Sequence, residues 1–427
     1  MFKLIVADDF TGSNDAGVQF VNKGMVVDVV FDWEKAPISS NANIKEMKQN
    51  ECDVIVINTE SRSISIEEAQ QRIKTVISNY PSLKQIYKKI DSTLRGNIGA
   101  EIETLLNVTQ YKAALIIPAF PNMKRITKNG QCYIDGVELI KTEFATDPKT
   151  PIYSSSIKKV IEQQTDFSCG EIYLDAVRNY TLKEQIELLL QSGNKIIIID
   201  AETNDDLQII VSQILPLLNQ LLLVGSAGII NFIPTDKKQN LINNEKKTTT
   251  PILVIAGSMS EKTQQQINYT VKNGDNNWQV VNVDLSDLLP NFSLEKLNQY
   301  RNKIQKILDT NQHCIVRTCS THTDRFKVDN YCQQYHLSRT ELGEKICDAL
   351  GQLVAKLKFD NLFLTGGDVA ISIAKSLGAI GFRIQGEVST GVPYGKLLSK
   401  KPVHFRVFTK AGGFGEQDIF LKSLEFI

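Results

Sequence analysis

The chain reads as α/β: two domains with mostly parallel sheets, helices on both faces and a cleft between the domains. Three observations predict this. Apolar runs of four or five residues, among them Leu4 to Ala7, Ala113 to Ile117, Ile196 to Ile199 and Ile252 to Ala256, are continuous rather than alternating, as strands covered on both faces must be. Helical periodicity follows such runs, as in Ile98, Ile102, Leu105 and Leu106. The length of 427 residues exceeds what one hydrophobic core organises, so two domains of about 200 residues are expected.

In order, the first strand breaks into Asp8-Asp9, and Gly12-Ser13 leads into a helix expected over about Asn14 to Lys23, stopped by Gly24. The carboxyl edge of a parallel sheet is where ligands bind, which sets the acidic pair apart, although aspartates also cap helices. Val26 to Phe31 and Val54 to Ile57 are the next strands, and the second runs into Asn58-Thr59-Glu60-Ser61-Arg62. A further strand ends in Lys88-Lys89-Ile90-Asp91-Ser92-Thr93-Leu94-Arg95-Gly96-Asn97. Its plain reading is a helix capped by Ser92 or Thr93 with solvated lysines. Its functional reading is a polar pocket where Asp8, Asp9, Arg62, Lys89, Asp91 and Arg95 converge, with cations for an anion and carboxylates for hydroxyls. After Ala113 to Ile117, a loop from Pro118 to Arg125 precedes a hairpin turning at Asn129-Gly130 and is expected to rim the pocket. The segment Asp147 to Pro151 is stiff and non-helical; two more βα units then end at Asp200 and at Gly225-Ser226-Ala227-Gly228.

Polar composition from Pro234 to Pro251 marks a linker, so the domains are expected at residues 1–233 and 252–427, with 234–251 between them. Beyond it, three strands run into small residues: Gly257-Ser258, Thr365-Gly366-Gly367-Asp368, and Lys410-Ala411-Gly412-Gly413-Phe414-Gly415. Glycine turns that bare backbone N–H groups before a helix suit phosphate. The stretch Gly257 to Thr263 places lysine where the second glycine of a P-loop belongs, and no G-x-G-x-x-G turn opens a helix, so both familiar nucleotide motifs are absent.

Composition excludes other classes. Lysine plus arginine and aspartate plus glutamate both number 48, so no net positive field holds nucleic acid or an anionic membrane, and no apolar run is long enough to span a bilayer. Seven cysteines without a C-x-x-C pair, and four histidines without ligand spacing, predict reduced thiols in the cytoplasm and no protein-held metal.

The motifs Ala7-Asp8-Asp9-Phe10-Thr11-Gly12, Lys89 to Asn97, Pro118-Ala119-Phe120-Pro121, Gly257-Ser258, Thr365 to Asp368 and Gly412 to Gly415 together resemble the four-carbon acid sugar kinases, nearly end to end. The resemblance implies an N-terminal acid-sugar domain, a C-terminal ATP domain, and phosphorylation of a terminal hydroxyl by ATP with Mg²⁺. It implies Asp9, Arg62, Lys89, Ile90, Asp91 and Ser92 for the substrate, to which the pocket reading adds Arg95, and Ser258, Thr365, Gly366, Gly367, Asp368 and Gly412 for ATP. Gly12 to Asp15, Asp147 to Pro151 and Lys410 to Gly415 are most similar to the branch acting on D-threonate, with D-erythronate and 3-oxo-tetronate next. One departure is Lys124-Arg125, where relatives commonly show Gly-Arg. Asp91, then Asp8 or Asp9, is expected to accept the hydroxyl proton, and Arg62 with Lys89 to hold the substrate carboxylate. A two-lobed sugar-acid sensor and a dehydrogenase are alternatives; the first leaves the glycine turns unexplained and the second lacks its dinucleotide turn. A homodimer stays open.

Overall fold

The computed structural model describes residues 2–34, 52–81, 85–147, 149–237, 250–257, 260–289, 293–319, 324, 327–399 and 403–427. Most of the expected linker, and Ser258, lie outside them. The chain divides into two α/β units, Met1–Gln239 and Asn240–Ile427.

Eight parallel strands form the main sheet of the first unit: β1 (Leu4–Ala7), β2 (Val27–Val30), β3 (Val54–Asn58), β4 (Ile86–Lys89), β5 (Ala113–Ile117), β9 (Cys169–Ile172), β10 (Ile196–Ile199) and β11 (Leu221–Gly225). Their spatial order is β2-β3-β1-β4-β11-β5-β10-β9. β1 lies centrally and all four of its residues are buried, which explains its continuous apolar run. Isoleucines, valines and leucines of one sheet face join helices α2 (Ile66–Asn79) and α3 (Ile98–Val108) in one core cluster. Three short strands, β6 (Arg125–Lys128), β7 (Gln131–Ile134) and β8 (Val137–Glu138), form a separate antiparallel sheet.

The second unit pairs β12 (Ile252–Ala256), β13 (Trp278–Asn282), β14 (His313–Arg317), β15 (Asn361–Thr365) and β18 (Arg406–Lys410) in parallel, in the order β13-β14-β12-β15-β18. An antiparallel pair, β16 (Ala379–Ser389) and β17 (Val392–Ser399), continues that sheet beyond β18. This pair is not anticipated by the sequence reading. Its interior glycines and three register shifts blur the alternation that a regular hairpin would show.

The first helix also differs from expectation. α1 spans Phe10–Val21 rather than starting near Asn14, because Asp9 caps it, accepting the Gly12 N–H at 2.8 Å. Gly12 and Ser13 therefore belong to the opening turn of the helix. The Asp8-Asp9 pair sits directly between the end of β1 and this turn.

Candidate functional site

In the first unit, the ends of β1, β3 and β4 bring the predicted charges together, because parallel neighbours end on the same side of the sheet. Arg62, in the loop after β3, grips Asp8 with two bonds, Nε to Oδ2 at 2.7 Å and Nη2 to Oδ1 at 3.0 Å. Its Nη1 donates to Asp9 Oδ2 at 2.6 Å. Arg62 thus holds both aspartates, and three of its five N–H groups are engaged by carboxylates. That finding redirects the expectation that its fork faces a substrate carboxylate. The geometry is close-packed: a Cβ on Gly12 would stand 2.6 Å from Asp9 Oδ1 and 2.9 Å from Lys89 Nζ.

The two aspartates titrate in opposite directions. Burial opposes ionisation of Asp8, but Arg62, Lys88 and Lys89 outweigh it and hold the carboxyl below its ordinary range. Burial raises Asp9, the charges of Asp8 and Asp91 add to that, and Arg62 and Lys89 only partly offset it. The side chain of Asp9 is also the more open, 25% exposed against 3% for Asp8.

The loop after β4 is a second knot of charge. Asp91 Oδ2 accepts from Thr93 Oγ1 at 2.5 Å and from Arg95 Nε at 2.6 Å, and Oδ1 accepts the Thr93 N–H at 3.3 Å. Burial pushes the Asp91 carboxyl up, yet Arg62, Arg95 and Arg125 together drive it far below the carboxylate range. Arg95 also donates to Asp147 Oδ2 at 2.9 Å and lies over the Phe144 ring. Neither Ser92 nor Thr93 caps α3. Asn97 takes that place, and its side chain instead donates to the carbonyls of Ser61 and Ile64. Ile90 contributes backbone alone: its side chain is core, its N–H bonds Gly225 and its carbonyl accepts Lys89 Nζ at 2.9 Å.

Neither lysine of β4 is solvated. Lys88 is wholly buried against Glu101 at 2.7 Å, and Glu101 also accepts from Ser61, which bonds Thr59. This network underpins the β3 loop that carries Arg62. The sequence alone does not show it, since adjacent lysines on a strand point to opposite faces and only the sheet neighbours reveal that both faces are covered.

The hairpin that follows β5 reaches the same place. Arg125, flagged in the sequence only as the partner of an unusual lysine, donates from Nη1 to Ser92 Oγ at 2.5 Å and lies 5.9 Å from the Phe144 centroid. The Cys132 thiol, pushed up to about 12 chiefly by burial, contacts the Ser92 carbonyl. Lys124 adopts φ 55°, a left-handed conformation in which glycine is unstrained, and its ammonium meets Asp135 at 2.9 Å. The departure at Lys124 therefore bears on the turn, while Arg125 keeps its position on Ser92. The Asn129-Gly130 turn docks on Asp200 at the end of β10, which accepts the Gly130 N–H at 3.2 and 3.3 Å.

The site of the second unit is made mainly of backbone. Thr365 ends β15 and is buried; Gly366, with φ 97°, is the N-cap of the helix Gly367–Ser376, and its N–H donates to the Lys410 carbonyl at 2.9 Å. Gly367 and Asp368 open the helix. Of the two adjacent glycines the turn requires glycine at Gly366: it, and not Gly367, has the conformation that side chains resist. The Gly412 carbonyl accepts from Ser260 Oγ at 2.9 Å, Thr263 Oγ1 at 3.0 Å and Lys410 Nζ at 3.0 Å, tying the last glycine turn to the start of the helix Glu261–Asn273. Lys410 is buried, and burial with Lys262 nearby lowers its ammonium to about 7. Among the described residues no group of three or more histidines, cysteines, aspartates or glutamates could hold a metal ion, and no helix is long and apolar enough to cross a membrane.

Residues 3–233 match a family model described as a sugar-binding N-terminal domain, and residues 253–420 one described as a nucleotide-binding C-terminal domain. The chain is 35% identical to a D-threonate kinase of Salmonella typhimurium, covering 100% of this chain and 98% of that protein. It is 28% identical to a D-erythronate kinase of Heliobacterium modesticaldum over 99% of this chain and 96% of the relative. A solved structure of a Haemophilus influenzae protein superposes with a TM-score of 0.73 at 23% identity, covering 98% of each chain, which shows the shared fold. With two consecutive domain matches and a relative aligned over 98% of its length, the chain belongs to the four-carbon acid sugar kinase family.

Proposed function

We propose that this protein transfers the γ-phosphoryl group of ATP to the 4-hydroxyl of a four-carbon sugar acid, D-threonate first, with D-erythronate and 3-oxo-tetronate next. The D-threonate kinase relative supports the choice of substrate. The observation that carries the reading is the charged cluster at the ends of β1, β3 and β4, where buried and half-buried cations and carboxylates pair around Asp8, Asp9 and Asp91. The start of the helix at Gly367, whose first backbone N–H groups have no partner within the helix, suits a triphosphate, and the Gly412 turn is tied to the same strand ends through Lys410.

The transfer forms a bond from O4 to the γ-phosphorus, breaks the bond from that phosphorus to the bridging oxygen, releases ADP and hands the hydroxyl proton to a carboxylate. Of the three aspartates, Asp9 suits that role. Asp91 is held by Thr93 and Arg95 and is driven far down, and Asp8 is gripped bidentately by Arg62. Asp9 retains proton affinity and is fixed in direction by the Gly12 N–H and Arg62. Mg²⁺ is expected to arrive on the nucleotide's phosphates. Asp8, Asp9 and Asp91 do not fit a resident ion, because arginine already holds each of the three.

A coupled ADP-release assay over D-threonate, D-erythronate, their L forms and 3-oxo-tetronate tests the proposal. Turnover is expected with D-threonate at the highest kcat/KM; release of ADP with none of these acids overturns it.

A further inference from the structure

Charge pairing around Asp91 singles out one cation. Arg62 is held by Asp8 and Asp9, Arg95 by Asp91 and Asp147, and Lys88 by Glu101. Among the described residues, Lys89 and Arg125 form no ion pair. Lys89 is spent partly on its own strand, bonding the Ile90 carbonyl, and its charge bears on Asp8 and Asp9. Arg125 is half-buried, and among the described residues one of its five guanidinium N–H groups has a protein acceptor, Ser92 Oγ at 2.5 Å.

This arginine is also pre-set. Its backbone bridges Phe120 in both directions, N–H to carbonyl at 2.7 and 3.2 Å, so the root of the hairpin fixes its Cα. Phe144 lies beside its guanidinium and Ser92 fixes one arm of the fork. Arg125 lowers the Asp91 carboxyl through space but makes no direct ion pair among the described residues, which leaves its fork open to an anion. Its planar fork matches a carboxylate better than it matches a hydroxyl.

We propose that Arg125 binds the carboxylate of the sugar acid and thereby sets the preference for acids over neutral polyols or amides. The inference rests on the kinase reading and specifies which residue recognises the substrate's charge. Arg62, by contrast, organises Asp8 and Asp9, and the β6–β7 hairpin delivers the recognition element to the Asp91 to Thr93 loop.

The test compares D-threonate with D-threonamide, which keeps the hydroxyls and loses the charge, on the wild-type chain, Arg125→Met and Arg125→Lys. Calorimetry gives Kd for each ligand, and the ADP assay gives the ratio of kcat/KM for acid over amide, a ratio that does not depend on the fraction of folded enzyme. A charge-assisted contact of this kind predicts that Arg125→Met weakens acid binding about 10- to 150-fold. Amide binding and the KM for ATP stay within about twofold, and Arg125→Lys falls between, keeping the charge without the fork. An unchanged acid-to-amide ratio in Arg125→Met, whether both ligands weaken equally or neither does, overturns the assignment of Arg125 alone. A wild-type chain that neither binds nor phosphorylates any four-carbon acid overturns the kinase reading and the inference together.

Discussion

The two units place their sites at similar scaffolds, the ends of central parallel strands, but they fill them differently. In the first, side chains carry the site: four cations and four carboxylates, Arg62, Lys89, Arg95, Arg125, Asp8, Asp9, Asp91 and Asp147, come from three strand ends, one hairpin and the segment at Asp147. In the second, the site is made of turns at Gly366 and Gly412, with Lys410 as a buried charge. On the proposed function, the difference follows from the guests. A small hydroxy acid must be recognised atom by atom, whereas a triphosphate offers many equivalent oxygens that bare N–H groups can satisfy.

If that contrast is right, chemistry fails most steeply when a side chain is removed from the first unit. Asp9→Asn keeps the shape and the acceptor for Gly12 but removes the proton acceptor, so kcat should fall about 10²–10⁴-fold with a modest change in KM. Steady-state kinetics on Asp9→Asn and Asp91→Asn in parallel separates the two candidates. A larger kcat loss in Asp91→Asn would return the role to Asp91 and leave Asp9 as an orienting group.

The second unit should instead fail at binding, and through backbone. Gly366→Val forces a β-branched residue to φ 97°, a conformation costing about 1–3 kcal/mol, which moves the turn and its N–H groups. If the free turn relaxes and ATP must restore it, that cost raises the ATP Kd about 5- to 150-fold, while D-threonate binding to the folded variant stays as in the wild type. Gly367→Ala, one residue on and inside the helix, should be far milder. Equal loss in the two variants, measured by calorimetry, would mean that space rather than conformation limits the turn.

How much of this was legible in the sequence differs between the units for the same reason. Continuous apolar runs marked β1, β5, β10 and β12, and the charges after β1, β3 and β4 stood close enough in sequence to their strands to be assigned to one edge. Arg125 was not legible as a site residue, because its place depends on a hairpin folding back to Ser92 across 33 positions of sequence. The pairing of Lys88 with Glu101 was hidden likewise, because it depends on which face α3 covers. In the second unit, the Gly-Gly pair announced a turn but not which glycine carries the positive φ, since that depends on where the helix begins.

The smallest expected effect sets the two units against each other in their response to pH. Asp200 under the hairpin turn is raised to about 6 by burial, with Glu171 adding to it, while the N–H groups of Gly130 and Asn129 and the Thr127 hydroxyl oppose the shift. A carboxyl raised in the fold contributes stability that is complete below its unfolded value and is lost as pH rises through 6. Lys410 has the opposite sign. Its ammonium is lowered to about 7 by burial and Lys262, so the unfolded chain holds the proton more tightly, and stability rises from about pH 7 towards the ordinary lysine range. Asp200→Asn should therefore flatten the decline between about pH 4 and 6 and leave the alkaline limb unchanged, whereas Lys410→Met should flatten the rise above pH 7 and leave the acid limb unchanged. Thermal melting of both variants from pH 4.5 to 9.5 checks this. If either substitution alters both limbs, the two charges do not belong to separately titrating sites, and the contrast between a side-chain site and a backbone site loses its electrostatic basis.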